Sequence, residues 1–228
     1  MYSGDTENDK NGIALDVLIG VGSNREFLFE SAKIYDLLRC FFLSGPDAEI
    51  MSALNHLELT KLNGLQADFV SNLSNLKDSA GKQGASGALA SLQTEFTRLF
   101  IGPGKAPAYP YESLYRSPQR LLMTEVTNEV RNFYLEHGLL MQKLYTVPED
   151  HLGVELEFLY YLNLKMLEQP ENIPVLRQVQ LQFLQEHLLS WIDDFTQDVL
   201  ANTEELFFTN LALLLRNFLH WDAGLLDN

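Results

Sequence analysis

Apolar side chains recur every three or four residues along nearly the whole chain, and this period limits the possible folds more than any other feature. An α-helix brings residues three and four apart onto one face, so each such stretch predicts an amphipathic helix. A clear example lies between residues 27 and 42, where the apolar positions are Phe27, Leu28, Ile34, Tyr35, Leu38 and Phe42. No run alternates apolar and polar residues as a half-buried strand does. The sequence therefore predicts an all-α protein.

Breaks in this period divide the chain into a predicted single-domain bundle of about eight to ten helices. Residues 1–22 are polar and lack a sustained period, which predicts a mobile N-terminal tail. Ser23-Asn24-Arg25-Glu26 has the spacing of a capping box, so the helical domain is expected to cover residues 23–228. The segment 78–87 is rich in Gly, Ala and Ser and predicts a loop or hinge.

Proline, glycine and capping residues predict further helix boundaries. Pro118 suits a first helical turn, and the period that follows it runs to Gly138, which suits a left-handed helix stop. Asp150 is expected to cap the helix that follows it. After Pro174 the apolar period continues through Trp191 to residue 195, which predicts one long helix.

The formal net charge of -15 at pH 7 limits the partners of the chain. Affinity for nucleic acid comes mostly from Lys and Arg that neutralise phosphates, so we expect no nucleic-acid partner. Anionic membrane surfaces are disfavoured for the same reason. An acidic surface instead attracts cationic peptide segments and repels its own copies at low salt.

The cysteine content and the N-terminal segment indicate the compartment. The single cysteine, Cys40, cannot form an internal disulfide, which favours a reducing environment. The N-terminal residues lack the basic patch and long apolar run of a secretory signal, and Ile13–Val21 is too short to span a bilayer. We therefore expect a cytoplasmic protein without stable membrane insertion.

The inventory of reactive motifs argues against catalysis. The sequence contains no nucleophile elbow, no Walker loop, no dinucleotide fingerprint and no cysteine pair for zinc. His151 and Glu155 lie four residues apart, as two metal ligands on a helix can. Glu157, however, points about 200° away from Glu155 on an ideal helix, so the carboxylates do not converge. We predict no catalytic residue, no metal site and no permanently bound cofactor.

Proline and aromatic residues are concentrated between residues 96 and 115. They are Phe96, Phe100, Pro103, Pro107, Tyr109, Pro110, Tyr111 and Tyr115. Prolines stiffen a loop, and rigid aromatic side chains offer a large contact area at low entropic cost, so the segment suits a peptide-binding surface. The alternative is a loop that its own aromatic side chains attach to the core.

Three ordered segments in the central third of the chain carry a family resemblance. Phe96-Thr97-Arg98-Leu99-Phe100 is an aromatic-x-x-Leu-Phe sequence, and Tyr109–Tyr115 is a proline-containing loop that ends in Ser-x-aromatic. Pro148–Leu152 contains Pro-x-Asp-His, and the apolar helix with Glu155 follows it. In this order the segments resemble the motifs of the TorD/DmsD family of cytoplasmic chaperones for molybdenum redox enzymes.

The resemblance implies a chaperone that binds the twin-arginine signal peptide of a molybdenum-cofactor oxidoreductase and assists its folding and cofactor insertion before export. The arginines of the peptide would meet Asp150, together with Glu112 or Glu155, through charge-assisted hydrogen bonds. His151 would shape the start of its helix. The signal-peptide-binding residues expected on this basis are Phe96, Leu99, Phe100, Pro110, Tyr111, Ser113, Tyr115, Asp150, His151 and Glu155.

Two other functions stay open from the sequence. One is weak GTP binding, which the resemblance permits although the chain has no phosphate loop. The other is a structural helical subunit that docks through its last helix, where Leu213-Leu214-Leu215 and Trp221 lie. The resemblance also permits either a monomer or a dimer that exchanges helices across the predicted hinge at 78–87.

Overall fold

The computed structural model describes residues 21–57, 67–81, 88–138 and 147–226, and within these ranges it contains ten α-helices and no strand. In chain order the helices are α1 (Val21–Ser44), α2 (Ala48–His56), α3 (Ala67–Gly81), α4 (Ala88–Phe96), α5 (Glu112–Arg116), α6 (Glu125–Glu136), α7 (Leu152–Glu168), α8 (Ile173–Glu186), α9 (Ile192–Asn202) and α10 (Leu206–Leu226). A π-helical turn, Thr97–Ile101, extends α4. The all-α prediction is confirmed.

Helix α7 is central, and its most extensive packing is against α1. Apart from the exposed Glu157, every residue from Leu152 to Leu159 is buried, and all of these buried residues except Glu155 are apolar. Helix α10 packs against α3 and α9. Among the described residues, none of the helices combines the length and the apolar character that crossing a bilayer requires.

Two predictions about the N-terminal half are corrected. Helix α1 starts at Val21, before the predicted capping box, and residues 1–20 of the predicted tail lie outside the described residues. Residues 78–81 of the predicted hinge form the last turn of α3, and residues 82–87 lie outside the described ranges. Leu76 and Ala80 are buried, so tertiary packing keeps this turn helical despite its flexible composition.

The helix predicted from Pro118 begins instead at Glu125. The seven residues from 118 to 124 are not helical, because Arg120 and Met123 have φ values of 51° and 57° in the left-handed region. The predicted stop after this helix is confirmed, since Gly138 has a φ of 76°.

The single long helix predicted after Pro174 is also wrong, because the structure divides it into α8, a 3₁₀ turn at Leu188–Ser190, and α9. The break lies at His187, whose φ and ψ are -114° and -87°. His187 and Trp191 are both buried at this break. No glycine or proline marks it, so the local sequence contains no signal for it.

A buried polar network joins α1, α8 and α10. The carboxylate of Asp222 accepts hydrogen bonds from the Tyr35 hydroxyl at 2.6 Å and from Gln180 Nε2 at 2.5 Å. Arg177 Nη1 lies 3.6 Å from the other oxygen of Asp222. Burial and the charge of Asp222 raise the pKa of Tyr35, so its hydroxyl stays a hydrogen-bond donor.

Candidate functional site

The three motif segments of the sequence lie side by side in the structure. The backbone N–H of Ala108 donates to the carbonyl of Leu99 at 3.0 Å, which joins the first segment to the second. The N–H of Glu112 donates to the carbonyl of Asp150 at 3.0 Å, and the N–H of Leu152 donates to Pro110 at 2.9 Å. These two bonds form an isolated antiparallel bridge between Tyr111 and His151. Segments about 40 residues apart in sequence therefore form one site.

Asp150 and His151 cap two different helices at this bridge. Asp150 Oδ2 accepts a hydrogen bond from the N–H of Ser113 at 2.9 Å, so Asp150 caps α5. The prediction that Asp150 caps the helix that follows it, α7, is therefore wrong. His151 is the N-cap of α7, and its Nδ1 accepts from the N–H of Gly153 at 3.0 Å. Burial lowers the pKa of His151 to about 4, so its ring is neutral at pH 7 and free to accept that bond.

Three carboxyl groups beneath the bridge have no exposed surface: those of Glu112, Asp150 and Glu155. The carboxylate of Glu112 accepts a hydrogen bond from Arg116 Nη1 at 2.5 Å. His187 Nδ1 lies 3.2 Å from both of its oxygens. Glu155 faces Glu112, Asp150 and Trp191, but neither of its oxygens has a hydrogen bond of standard geometry. Burial, followed by the charge of Glu112, raises the pKa of Glu155 well above its ordinary value. Glu155 is therefore a neutral acid in this site.

This burial bears on the predicted contacts with peptide arginines. The resemblance implied that Asp150, together with Glu112 or Glu155, meets the arginines of the peptide, and the structure places all three carboxyl groups in the interior. A guanidinium group outside the molecule cannot touch Glu112, Asp150 or Glu155 in the conformation described here. These carboxyl groups are placed to hold α5 against α7.

The predicted peptide-binding surface between residues 96 and 115 separates into a buried part and a half-exposed part. Phe96, Leu99 and Phe100 belong to the core, as the alternative interpretation of the loop anticipated. The Phe100 ring lies 5.1 Å from Phe96 and 5.9 Å from Phe195 between centroids. Pro110 and Ser113 are buried as well, whereas Tyr111 and Tyr115 are partly exposed.

Two residues that the sequence interpretation missed complete the site. The break between α8 and α9 brings His187 to Glu112 and Trp191 to Tyr115, with the latter two rings stacked at 5.3 Å. No signal in the local sequence indicates either contact, since both depend on a break without glycine or proline. Within the described residues, no group of three or more His, Cys, Asp or Glu side chains has an arrangement suited to a metal ion.

The Pro148–His151 segment has its own anchor on α6. Arg131 donates to both carboxylate oxygens of Glu149, at 2.8 and 2.9 Å, and the Tyr134 hydroxyl donates to the Glu149 carbonyl at 3.2 Å. A bidentate arginine pair of this kind fixes both position and orientation. The bridge between Tyr111 and His151 is therefore supported from α5, α6 and α7.

Comparison with known proteins identifies the family. Residues 51–197 match the profile of the family described as nitrate reductase delta subunit. The chain is 32% identical to the chaperone protein TorD of Vibrio vulnificus over 203 residues, which cover 84% of this chain and 91% of that protein. It belongs to the TorD/DmsD family of redox enzyme maturation chaperones.

Other relatives support the assignment of this chain to the TorD/DmsD family. It is 32% identical over 141 residues to TorD of Photobacterium profundum, spanning 61% of this chain and 65% of that protein. A Haemophilus influenzae relative named "probable Tat proofreading chaperone DmsD" is 29% identical over 140 residues, 61% of this chain and 64% of the relative. A protein of Archaeoglobus fulgidus whose structure is titled "putative redox enzyme maturation protein" has the same fold. Its TM-score is 0.50 at 21% identity, over 84% of this chain and 92% of that one.

Proposed function

We propose that this TorD/DmsD family protein is a cytoplasmic chaperone that binds the twin-arginine signal peptide of a molybdenum-cofactor oxidoreductase. Binding would hold the enzyme until folding and cofactor insertion are complete, and the chaperone itself would catalyse no reaction. The observation that carries the proposal is that the three family motifs contact one another: the Ala108–Leu99 hydrogen bond links the first to the second, and the Tyr111–His151 bridge joins the second to the third. The names of its relatives, which include TorD and a Tat proofreading chaperone, support it.

The accessible part of the site suits a peptide that is both cationic and apolar. Tyr111 and Tyr115 present partly exposed rings, and Asp194 and Asp198 lie close enough to Tyr115 to raise its pKa together with burial. Aromatic rings bury a large apolar area, while nearby carboxylates attract arginine. We therefore assign the peptide contacts to the two tyrosines and the arginine contacts to the two aspartates.

The buried polar residues have a positioning role in this proposal. Asp150 caps α5, which carries Tyr115, and His151 caps α7 on the other side of the bridge. The neutral Glu155, in the first turn of α7, faces Glu112 of α5. These three side chains would hold the tyrosines in place without touching the peptide.

A binding titration tests the proposal. Anisotropy of a fluorescein-labelled twin-arginine peptide should report binding that weakens with added salt, because the arginines contribute through charge. Tyr111→Ala should weaken the affinity roughly tenfold, since aromatic anchors account for much of the free energy of peptide binding. Tyr161→Ala is the matched control, because Tyr161 is also partly exposed but lies on α7 beside Lys165.

Two variants of Asp150 separate positioning from direct contact. Asp150→Asn removes the charge but keeps an oxygen that can accept from the Ser113 N–H, so it should retain most of the affinity. Asp150→Ala removes the cap and should lower both stability and affinity. An Asp150→Asn protein that folds normally but does not bind the peptide would show that this carboxylate contacts arginine directly. A wild-type protein that does not bind the peptide would overturn the proposed function.

The two alternatives from the sequence have their own measurements. Weak GTP binding would appear as heat in a calorimetric titration with GTP. A structural subunit would co-purify stoichiometrically with other chains, and sedimentation would distinguish a monomer from a dimer formed by helix exchange.

A further inference from the structure

Three consecutive large apolar side chains are exposed in the segment between α5 and α6. Leu121, Leu122 and Met123 have relative exposures of 56%, 44% and 69%. Scattered exposed apolar residues are normal on proteins, but a contiguous group usually marks a binding surface. We call these three residues the 121–123 patch.

The backbone holds the 121–123 patch outward. Arg120, which precedes the patch, and Met123, its last residue, have φ values of 51° and 57°, a region that residues with side chains seldom occupy. Ser117 fixes the turn, because its carbonyl accepts from the N–H of Arg120 at 2.9 Å and its Oγ accepts from the N–H of Leu121 at 3.2 Å. Backbone conformations of this kind are typical of functional surfaces.

The 121–123 patch is continuous with the proposed peptide site. The guanidinium group of Arg120 lies 5.3 Å above the ring of Tyr115 and donates to Asp198 at 3.2 Å. Tyr115 is one of the two partly exposed tyrosines of that site. A segment of peptide leaving Tyr115 would therefore meet the patch next.

The charges around the 121–123 patch indicate the chemistry of its partner. Glu125 follows the patch by two residues at the start of α6, and Asp198 of α9 pairs with Arg120 directly before it. Asp194 and Asp198 also act on Tyr115, and Glu129 pairs with Arg116. The nearby arginines are engaged, Arg116 with Glu112 and Glu129 and Arg120 with Asp198. This surface suits an apolar segment attached to cationic residues, whereas the net charge of -15 opposes a second copy of the chain.

We propose that the 121–123 patch binds the apolar segment of the client's signal peptide, next to the tyrosines and aspartates that receive its cationic end. This inference rests on the proposed function and adds a second subsite to it. The peptide would run from Asp194 and Asp198, across Tyr115, onto Leu121, Leu122 and Met123.

A pair of peptides and a pair of variants test this subsite. One labelled peptide has two arginines followed by a leucine-rich segment, and the other replaces those leucines with serine and glycine. The patch variant combines Leu121→Ser and Leu122→Ser with Met123→Asn, because Asn tolerates the left-handed backbone at that position. The control variant combines Val175→Ser and Leu206→Ser, which remove two side chains of similar exposure, 64% and 65%, from α8 and α10.

The patch variant should bind the leucine-rich peptide roughly tenfold more weakly than the wild type, and the control variant should bind it normally. Both variants should bind the serine-glycine peptide as the wild type does, because the lost contact involves only the apolar segment. Circular dichroism melting confirms that the patch variant is folded.

Other outcomes are distinguishable. Equal affinity of the patch variant and the wild type for the leucine-rich peptide would overturn the subsite and leave the proposed function standing. Failure of the wild type to bind either peptide would overturn both. A wild-type dimer that the patch variant abolishes, with peptide affinity unchanged, would assign the 121–123 patch to a second copy and overturn the subsite.

Discussion

The buried carboxyl groups of the site are stabilised in different ways. Glu112 has Arg116 and His187 as partners, and Asp150 has the N–H of Ser113. Among the described residues, none of the cationic side chains pairs with Glu155, and burial together with Glu112 raises its pKa. A second carboxylate buried against Glu112 would be strongly unfavourable, so Glu155 keeps its proton. The bridge is thus held by three buried carboxyl groups: Glu112 with its partners, Asp150 with the Ser113 N–H, and Glu155 as a neutral acid.

The stability of the protein should depend on pH through Glu155. The unfolded chain releases this proton near the ordinary pKa of 4.5, whereas the folded chain keeps it to higher pH. The contribution of Glu155 is therefore complete below pH 4.5 and declines as the pH rises towards the raised pKa of the folded state. Glu155→Gln, which stays neutral, should gain stability relative to the wild type between pH 5 and pH 8.

Urea unfolding at pH 5, 6.5 and 8 measures this difference. Glu157→Gln is the control, because Glu157 lies on the same helix with its side chain 51% exposed. Parallel pH profiles for the wild type and Glu155→Gln would show that Glu155 is ionised in the folded protein.

At the scale of elements, the contact between α1 and α7 depends on a small residue. A Cβ atom added to Gly153 would lie 2.7 Å from Leu43 Cγ, closer than real contacts allow. Gly153 also donates its N–H to His151, at the start of α7. The close approach of α1 therefore sits directly behind the Tyr111–His151 bridge.

Gly153→Ala should destabilise the protein by about 1–3 kcal/mol, the usual effect of overpacking, although alanine favours helix more than glycine does. Leu43→Ala in the same chain should restore most of the loss, because it removes the atoms that clash. Urea denaturation of both single variants and the double variant measures the coupling. A Gly153→Ala protein that is more stable than the wild type would mean that α1 moves aside without cost.

At the scale of the whole molecule, the excess of negative charge coexists with a few buried ion pairs that join distant helices. Asp222 connects α10 to α1 and α8 through Tyr35, Gln180 and Arg177. The side chain of Asp222 is fully buried and that of Arg177 is 14% exposed. Removal of one partner from such a pair leaves the other uncompensated in the core.

Asp222→Ala should therefore lower the free energy of unfolding by about 3–5 kcal/mol. Asp193→Ala is the matched control, since Asp193 pairs with Arg216 where both side chains are more than 40% exposed, and it should cost at most about 1 kcal/mol. Thermal and urea unfolding measure both. Similar small losses in the two variants would mean that water reaches Arg177 in the Asp222→Ala protein.

The sequence by itself determined the helices, the charge and the order of the motifs. The apolar period of α7 and α10 predicts helices because a 3.6-residue repeat places one face inward, whatever packs against it. Gly138 predicts the end of α6 for a similarly local reason, since glycine adopts a positive φ without strain. The family resemblance rests on Phe96–Phe100, Tyr109–Tyr115 and Pro148–Leu152, which are contiguous in sequence.

Only the tertiary structure decided which of these residues face outward. Phe96, Phe100 and Glu155 look like surface candidates in the sequence, but the packing of α1, α7 and α9 encloses them. The break at His187 and the left-handed backbone at Arg120 and Met123 have no local signal either. His187 contacts Glu112 at the break, and Arg120 contacts Ser117 and Asp198 in the left-handed segment. Local patterns report the conformation that a segment favours, whereas burial and backbone strain depend on partners far away along the chain.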